Sequence, residues 1–328
     1  MLRDSYGRQV TYVRVSVTDR CDLRCVYCMK ERMVFLPKKD LLTFEELERL
    51  CSLFVEMGVR KLRMTGGEPL VRRGVMDFLR RLSVHKGVEL VMTTNGTRLA
   101  EYAEGLRACG VERINVSLDS LDEAMYRQVT RGGDMGRVLA GMEKAAGLGI
   151  KIKVNVVALR GVNEHALMDM VYWCAERGYD MTMIEVMPMG EMPMCREQQF
   201  VSLQGVQAQM AREFEMEVAA KQGCSSGPAR RYFVPSLGIH VGFITPLSAH
   251  FCEGCNRVRL TCVGQLYTCL GHEGSCDMRA LLRSGADDGV VRDALRRALW
   301  SKPQGHDFAS FMNVRSGAVS RHMSVTGG

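Results

Sequence analysis

Along the first 190 residues, short runs in which apolar residues recur every second position alternate with longer stretches in which they recur every three or four. The period-two runs predict strands over Tyr12–Thr18, Lys61–Thr65, Glu89–Thr94, Arg113–Asp119, Lys151–Leu159 and Met181–Met187. The stretches between them carry helix-end signals. Thr43 and Glu46 form a capping box, Leu47, Leu50, Phe54 and Met57 make one apolar stripe, and Gly58 stops the helix; Gly110 and Gly178 close two later ones. Strand and helix alternating at this length predict a parallel sheet. Six such units can curl into a partial (β/α)6-type barrel, with an open doubly wound sheet as the competing topology.

Parallel strands under helices usually read as continuous apolar runs, but several of these alternate. Val13, Val15 and Val17 share one face and Arg14, Ser16 and Thr18 the other; Leu62 and Met64 oppose Arg63 and Thr65, and Ile152 and Val154 oppose Lys153 and Asn155. With the apolar face under the helices, the polar face lines the interior. Unpaired cations there are costly, so Arg14, Arg63 and Lys153 predict a hollow lumen that receives an anion. A sheet edge facing water is the plainer alternative.

The pattern loosens after residue 190, through Met187, Met189, Met192 and Met194 and then a Gly- and Ser-containing stretch around Gly223–Gly227. A boundary near there divides the chain into residues 1–225 and a smaller α+β region, 226–328. That region contains a hairpin over Arg231–Thr245 and two helical patterns over Asp277–Trp300. No internal repeat is visible.

With 46% hydrophobic and 25% charged residues, the composition is that of a globular protein, and the start MLRDSYGRQV carries no apolar signal segment. The expected compartment is the cytoplasm, with no membrane span. The formal charge of +7 is dispersed, as on a solvated surface, and no nucleic-acid partner is expected. In a reducing compartment 13 cysteines point to metal ligands and small buried residues such as Cys51, and not to disulfides.

Six of those cysteines form two sets of three: Cys21, Cys25 and Cys28 after the first strand, and Cys252, Cys255 and Cys269 near the end. Structural zinc and ordinary iron-sulfur clusters take four protein ligands, so each set leaves one metal position open. Cys262 and Cys276 are rival ligands by position. The second strand ends in Gly66-Gly67-Glu68-Pro69 and the third in Thr93-Thr94-Asn95-Gly96, which brings three strand-end motifs to one edge of the sheet.

The C-x-x-x-C-x-x-C loop, with Tyr27 before its third cysteine, resembles that of the radical S-adenosylmethionine (SAM) superfamily. SVTDRCDLRCVYC, the segment CEGCNRVRLT and the closing Gly327-Gly328 together resemble the GTP 3′,8-cyclase family of molybdenum cofactor biosynthesis, over essentially the whole chain. The resemblance implies two 4Fe-4S clusters. Cys21, Cys25 and Cys28 would hold the one that binds and cleaves SAM, and Cys252, Cys255 and Cys269 the one whose open iron takes the guanine of GTP. It further implies SAM contacts from Tyr27, Gly67, Ser117 and Met187, and GTP contacts from Arg14, Arg63, Thr93, Lys153, Arg257 and Arg259. Gly327 and Gly328 would reach into the active site, with Thr326 standing where relatives more often carry an aliphatic residue. The expected partners are GTP, an external one-electron donor and a downstream pterin-forming enzyme; a homodimer is also expected. The rivals are a peptide-modifying radical SAM enzyme with an auxiliary cluster and, from another class, a zinc-stabilised regulatory or binding protein.

Overall fold

The computed structural model describes residues 1–190, 196–220, 227–249, 252–306, 308 and 319–327. Six strands pair in parallel and in chain order: β1 (Tyr12–Ser16), β2 (Lys61–Thr65), β3 (Glu89–Thr94), β4 (Arg113–Ser117), β5 (Lys151–Ala158) and β6 (Asp180–Glu185). The order never reverses, which excludes the doubly wound alternative. The helices between them are α1 (Phe44–Glu56), α2 (Val75–Leu82), α3 (Leu99–Ala108), α4 (Glu123–Thr130), α5 (Met135–Gly147) and α6 (Leu167–Glu176). In α1 the Thr43–Glu46 capping box is formed, and Leu47, Leu50 and Phe54 are buried. Each such side chain contributes about 1.5–3 kcal/mol.

Two of the predicted strands match in full, while β1 and β4 each stop two residues early. At the end of β1 the chain is already turning into the cysteine loop: Val17 N still bonds Thr65 O at 2.8 Å, but the next carbonyl, Thr18 O, takes Gly67 N at 2.7 Å. Past β4, a side chain substitutes for the ladder, as Asp119 Oδ1 accepts from Val157 N at 2.8 Å.

The C-terminal third extends the same sheet at both edges. β7 (Glu217–Val218), β8 (Arg230–Val234) and β9 (Ile239–Ile244) follow α7 (Arg196–Gln199) and α8 (Leu203–Glu213), and β9 lies parallel to β6. At the opposite edge β10 (Arg257–Leu260) lies parallel to β1, with β11 (Gln265–Tyr267) and β12 (Ser275–Asp277) antiparallel beyond it. The result is one twelve-stranded sheet containing eight successive parallel strands, β10 through β1–β6 to β9. The predicted hairpin is β8–β9, and the two late helices are α9 (Met278–Arg283) and α10 (Asp288–Trp300); a last turn, α11 (Met323–Thr326), follows. Among the described residues no helix is long and apolar enough to cross a membrane.

The register bears out the alternation. Arg259, Arg14 and Arg63 are directly opposed across β10, β1 and β2, and Thr93, Asn115 and Lys153 across β3, β4 and β5. The other face, with Val13, Val15, Leu62, Met64, Ile114, Val116 and Val154, belongs to the core under the helices. The polar face is itself enclosed: Arg63 is 6% and Arg259 8% exposed.

Candidate functional site

The loop after β1 places Cys21, Cys25 and Cys28 at the C-terminal edge of the strands, all partly buried. It is pinned to the end of α4, with Arg24 N to Thr130 O at 3.1 Å and Val26 N to Val129 O at 2.9 Å. Arg131, in the left-handed region at φ 56, caps α4 and aims its guanidinium back at the loop. Its Nη1 donates to the carbonyls of Arg24 and Met29, each at 3.1 Å. Gly67 meets the loop backbone to backbone: a Cβ there would lie 2.2 Å from Arg20 O, so only glycine permits the approach.

The three strand-end motifs form one network. Glu68, fully buried, accepts from Thr94 Oγ1 at 2.8 Å and Asn95 N at 2.7 Å, and burial pushes its carboxyl up to about 7. Asn95 Nδ2 then reaches Asp22 at 2.7 Å and the Cys21 sulfur at 3.6 Å. Tyr27 donates to Asp119 Oδ2 at 2.7 Å, which ties the cysteine loop to the strand end that carries Ser117. Burial pushes the Asp119 carboxyl up to about 6.

Burial also drives the Cys21 thiol up to about 12 and Cys25 well above its ordinary value. Such thiols ionise readily only when a metal takes the place of the proton. Among the described residues no three His, Cys, Asp or Glu side chains converge as a cage for a single metal ion. The fit is therefore one of donor chemistry: three thiols on one loop with a close-approach glycine beside them.

On the lumen face Arg63 Nε donates to Tyr12 OH at 2.6 Å and its Nη1 to Thr93 Oγ1 at 3.1 Å. Lys61 pairs with Glu89 at 2.7 Å, and Arg113 with Glu89 at 2.8 Å. Arg14 is different, because its buried Nε and Nη2 have no hydrogen-bond partner among the described residues. Burial, with Arg63 and Arg257 nearby, lowers its pKa to about 10. Burial likewise lowers Lys153 to about 7. A multiply charged phosphate group would satisfy these cations, and arginine suits it by forking two donors onto one group.

The second set lies at the end of that row. Cys252 opens a short 3₁₀ turn, Cys255 precedes β10 and Cys269 follows β11; Cys255 N bonds Cys252 O at 3.0 Å. Burial opposes ionisation of Cys255, but the charges of Arg257 and Lys302 draw its thiol down to about 7. The tail joins the site too, for Arg259 Nη1 donates to Gly327 O at 2.5 Å, and a Cβ on Gly327 would lie 2.2 Å from Thr65 Cγ2.

The structure thus gathers Arg14, Arg63, Thr93, Lys153, Arg257 and Arg259 on one face, with Gly327 against it, and sets Tyr27 and Gly67 at the first loop; Ser117 ends β4, two residues before the Asp119 that Tyr27 bonds. Met187 packs against the small buried cluster of Met189, Phe308 and Val319, as do Leu247, Leu270 and Met323. Gly328, Met192, Met194 and all of Gly223–Gly227 except Gly227 fall outside the described residues. Cys262 is fully buried against β1, and Cys276 sits within β12. Sequence reasoning placed Asp119 on the interior face of its strand by alternation but gave it no role, and it overlooked Tyr12, Arg131 and Lys302. Tyr12 shares the alternation of Arg14 and could have been found by it; Arg131 and Lys302 act through contacts that no local pattern encodes.

Family models match twice: the Radical SAM superfamily over residues 15–174 and Molybdenum Cofactor Synthesis C over 179–308. The chain is 53% identical over its full length to a GTP 3′,8-cyclase of Paracoccus denitrificans, covering 96% of that protein, and 52% identical to one of Bradyrhizobium diazoefficiens with the same coverage. In fold it is similar to Streptococcus suis SuiB bound to S-adenosylmethionine, with a TM-score of 0.61 at 14% identity over 97% of this chain and 77% of that one. The chain therefore belongs to the GTP 3′,8-cyclase family, within the radical SAM superfamily.

Proposed function

We propose that this protein converts GTP to (8S)-3′,8-cyclo-7,8-dihydroguanosine 5′-triphosphate, the first step of molybdenum cofactor biosynthesis, as a SAM-dependent enzyme with two 4Fe-4S clusters. The observation that carries the reading is the row of arginines, Arg259, Arg14 and Arg63, on the strands that adjoin the Cys21–Cys28 loop and the segments of Cys252, Cys255 and Cys269. Cys21, Cys25 and Cys28 would hold the first cluster and Cys252, Cys255 and Cys269 the second. When bound, the first cluster and SAM would supply the one-electron reductive chemistry that takes hydrogen from the 3′ carbon of the ribose; that carbon would bond to carbon 8 of guanine as the C8–N7 double bond opens, and one electron and one proton at N7 would complete the dihydro product.

The residues of the chain bind, orient and enclose. Arg14, Arg63, Lys153, Arg257 and Arg259 bind the triphosphate side of GTP, and Thr93 orients it through Arg63. Tyr27, Gly67, Ser117 and Met187 hold SAM, Gly67 by allowing main chain to approach. Gly327 closes the lumen from the tail, which keeps water from the reacting carbon, and Gly328, outside the described residues, is assigned to the same catalytic tail by the family resemblance. Residues 1–225 act as the SAM-binding core and 226–328 as the second-cluster and GTP-binding region. A one-electron donor reduces the enzyme, a pterin-forming enzyme takes the product, and the protein works in the cytoplasm as a homodimer.

The test is anaerobic incubation of reconstituted protein with SAM, a strong reductant and GTP, followed by chromatography for 5′-deoxyadenosine and the cyclised nucleotide. Both should form together. Deoxyadenosine without consumption of GTP would overturn the substrate assignment.

A further inference from the structure

Beyond α10 the chain reads Lys302-Pro303-Gln304-Gly305, and this short strap touches every segment of the second cysteine set. Lys302 is 2% exposed, and its Nζ donates to Arg257 O at 3.0 Å and to Thr268 O. Arg257 stands two residues after Cys255, and Thr268 immediately precedes Cys269. Arg8, held by Asp4 at 2.6 Å, sends Nη1 to Cys252 O at 2.8 Å and Gln304 O at 2.7 Å, and Nη2 to Pro303 O at 2.6 Å. A ring nitrogen of His272, three residues after Cys269, lies 2.8 Å from Gly305 O. A Cβ on Gly305 would stand 3.7 Å from the Cys252 sulfur.

An ammonium has three donors and is expensive to bury without an anion. The hydrogen-bond acceptors of Lys302 among the described residues are two backbone carbonyls and the Cys255 sulfur, with no carboxylate. Two neutral carbonyls leave its full positive charge uncompensated, and that charge bears on the Cys255 sulfur. A site of thiolates supplies the missing negative charge.

Building on the reading that this set holds a cluster, we propose that Lys302 is a positioning residue of the second iron site. It locks the Cys255 and Cys269 segments together, and its charge stabilises the reduced form of the cluster. Hydrogen bonds and charge near the sulfurs are among the factors that set such potentials.

The experiment compares wild type, Lys302→Met and Lys302→Gln, all reconstituted anaerobically, by iron content, redox titration followed by electron paramagnetic resonance, and KM for GTP. Lys302→Met should fall from about eight irons to about four, because the second site no longer assembles. Lys302→Gln keeps donors for the two carbonyls and loses only the charge. It should retain more iron, with the second cluster's potential shifted negative and the first cluster's unmoved. It also decides the matter if Lys302→Met does not fold. Full iron and unchanged potentials in both variants, or in Lys302→Gln alone should Lys302→Met not fold, would overturn the proposal. About four irons in wild type would instead overturn the two-cluster reading beneath it.

Discussion

Arg14 and Arg259 stand directly opposite each other on β1 and β10, two buried like charges contributed by opposite ends of the chain. Burial and the nearby Arg14 hold Arg259 well below the usual arginine range. Two cations in such a position destabilise the empty protein, and a bound anion relieves them. The site is thus built for its ligand at some cost to the substrate-free fold.

Replacing Arg14 by Met should leave the melting temperature little changed, since it removes a charge repelled by Arg63 and Arg257 and two unpartnered buried nitrogens, against the loss of its hydrogen bond to Tyr12. The KM for GTP should rise about 10- to 100-fold, the loss of one charge-assisted contact of about 1.5–3 kcal/mol. Thermal melts and steady-state kinetics check both. A large fall in melting temperature with KM unchanged would assign Arg14 to folding.

Gly327→Ala should dislodge the tail, because its Cβ would stand 2.2 Å from Thr65 Cγ2 at a backbone φ of 76. Arg259 would then lose its 2.5 Å acceptor. Product formation should drop about 100-fold, as expected for a misplacement near the reacting atoms. Adding Thr65→Ala removes the nearest clashing atoms and should recover part of that loss; no recovery would point to the strained φ as the dominant fault.

The lumen predicts a pH dependence. Burial opposes ionisation of Tyr12, but Arg63, Arg14, Arg257 and Lys61 draw its phenol down to about 7; burial, with Arg231 and other cations, brings Lys153 to about 7 as well. In the unfolded chain both groups titrate near pH 10. Between about pH 7 and pH 10 the unfolded state therefore keeps protons that the native state has released, so stability of the substrate-free protein rises with pH and the gain is lost as pH falls through about 7. Tyr12→Phe and Lys153→Met should each flatten that rise in thermal melts. GTP should restore the charge of Lys153, giving net proton uptake at about pH 8, measurable by calorimetry in buffers of different ionisation enthalpy. Proton release on binding would refute this account.

Cys262→Ser and Cys276→Ser should keep the full iron content, whereas serine at Cys252, Cys255 or Cys269 should lose about four irons. Cys262 is fully buried, so its variant bears the cost of a buried hydroxyl, about 1–3 kcal/mol of stability, without touching the metal. Iron and sulfide assays separate the two cases. Loss of iron from Cys262→Ser would make it a ligand.

Local pattern determined a great deal here. Period-two alternation reported the strands and which face of each carries Arg14, Arg63 and Lys153, because side chains in a strand must point to opposite sides. The capping box at Thr43 and the stops at Gly58, Gly110 and Gly178 were equally legible, since they depend on residues a few positions apart. The two cysteine spacings and the strand-end glycines announced the chemistry for the same reason. What local pattern could not contain was register between distant segments. That β10 pairs with β1, setting Arg259 against Arg14, and that Lys302 and Arg8 reach across to the second cysteine set, depend on which backbones meet after collapse. Such contacts join residues with no fixed spacing in the chain. Residue spacing was enough to announce two sets of three cysteines and a cationic face; that all of them adjoin one sheet follows from long-range strand pairing and buried hydrogen bonds, which are satisfied by the fold as a whole.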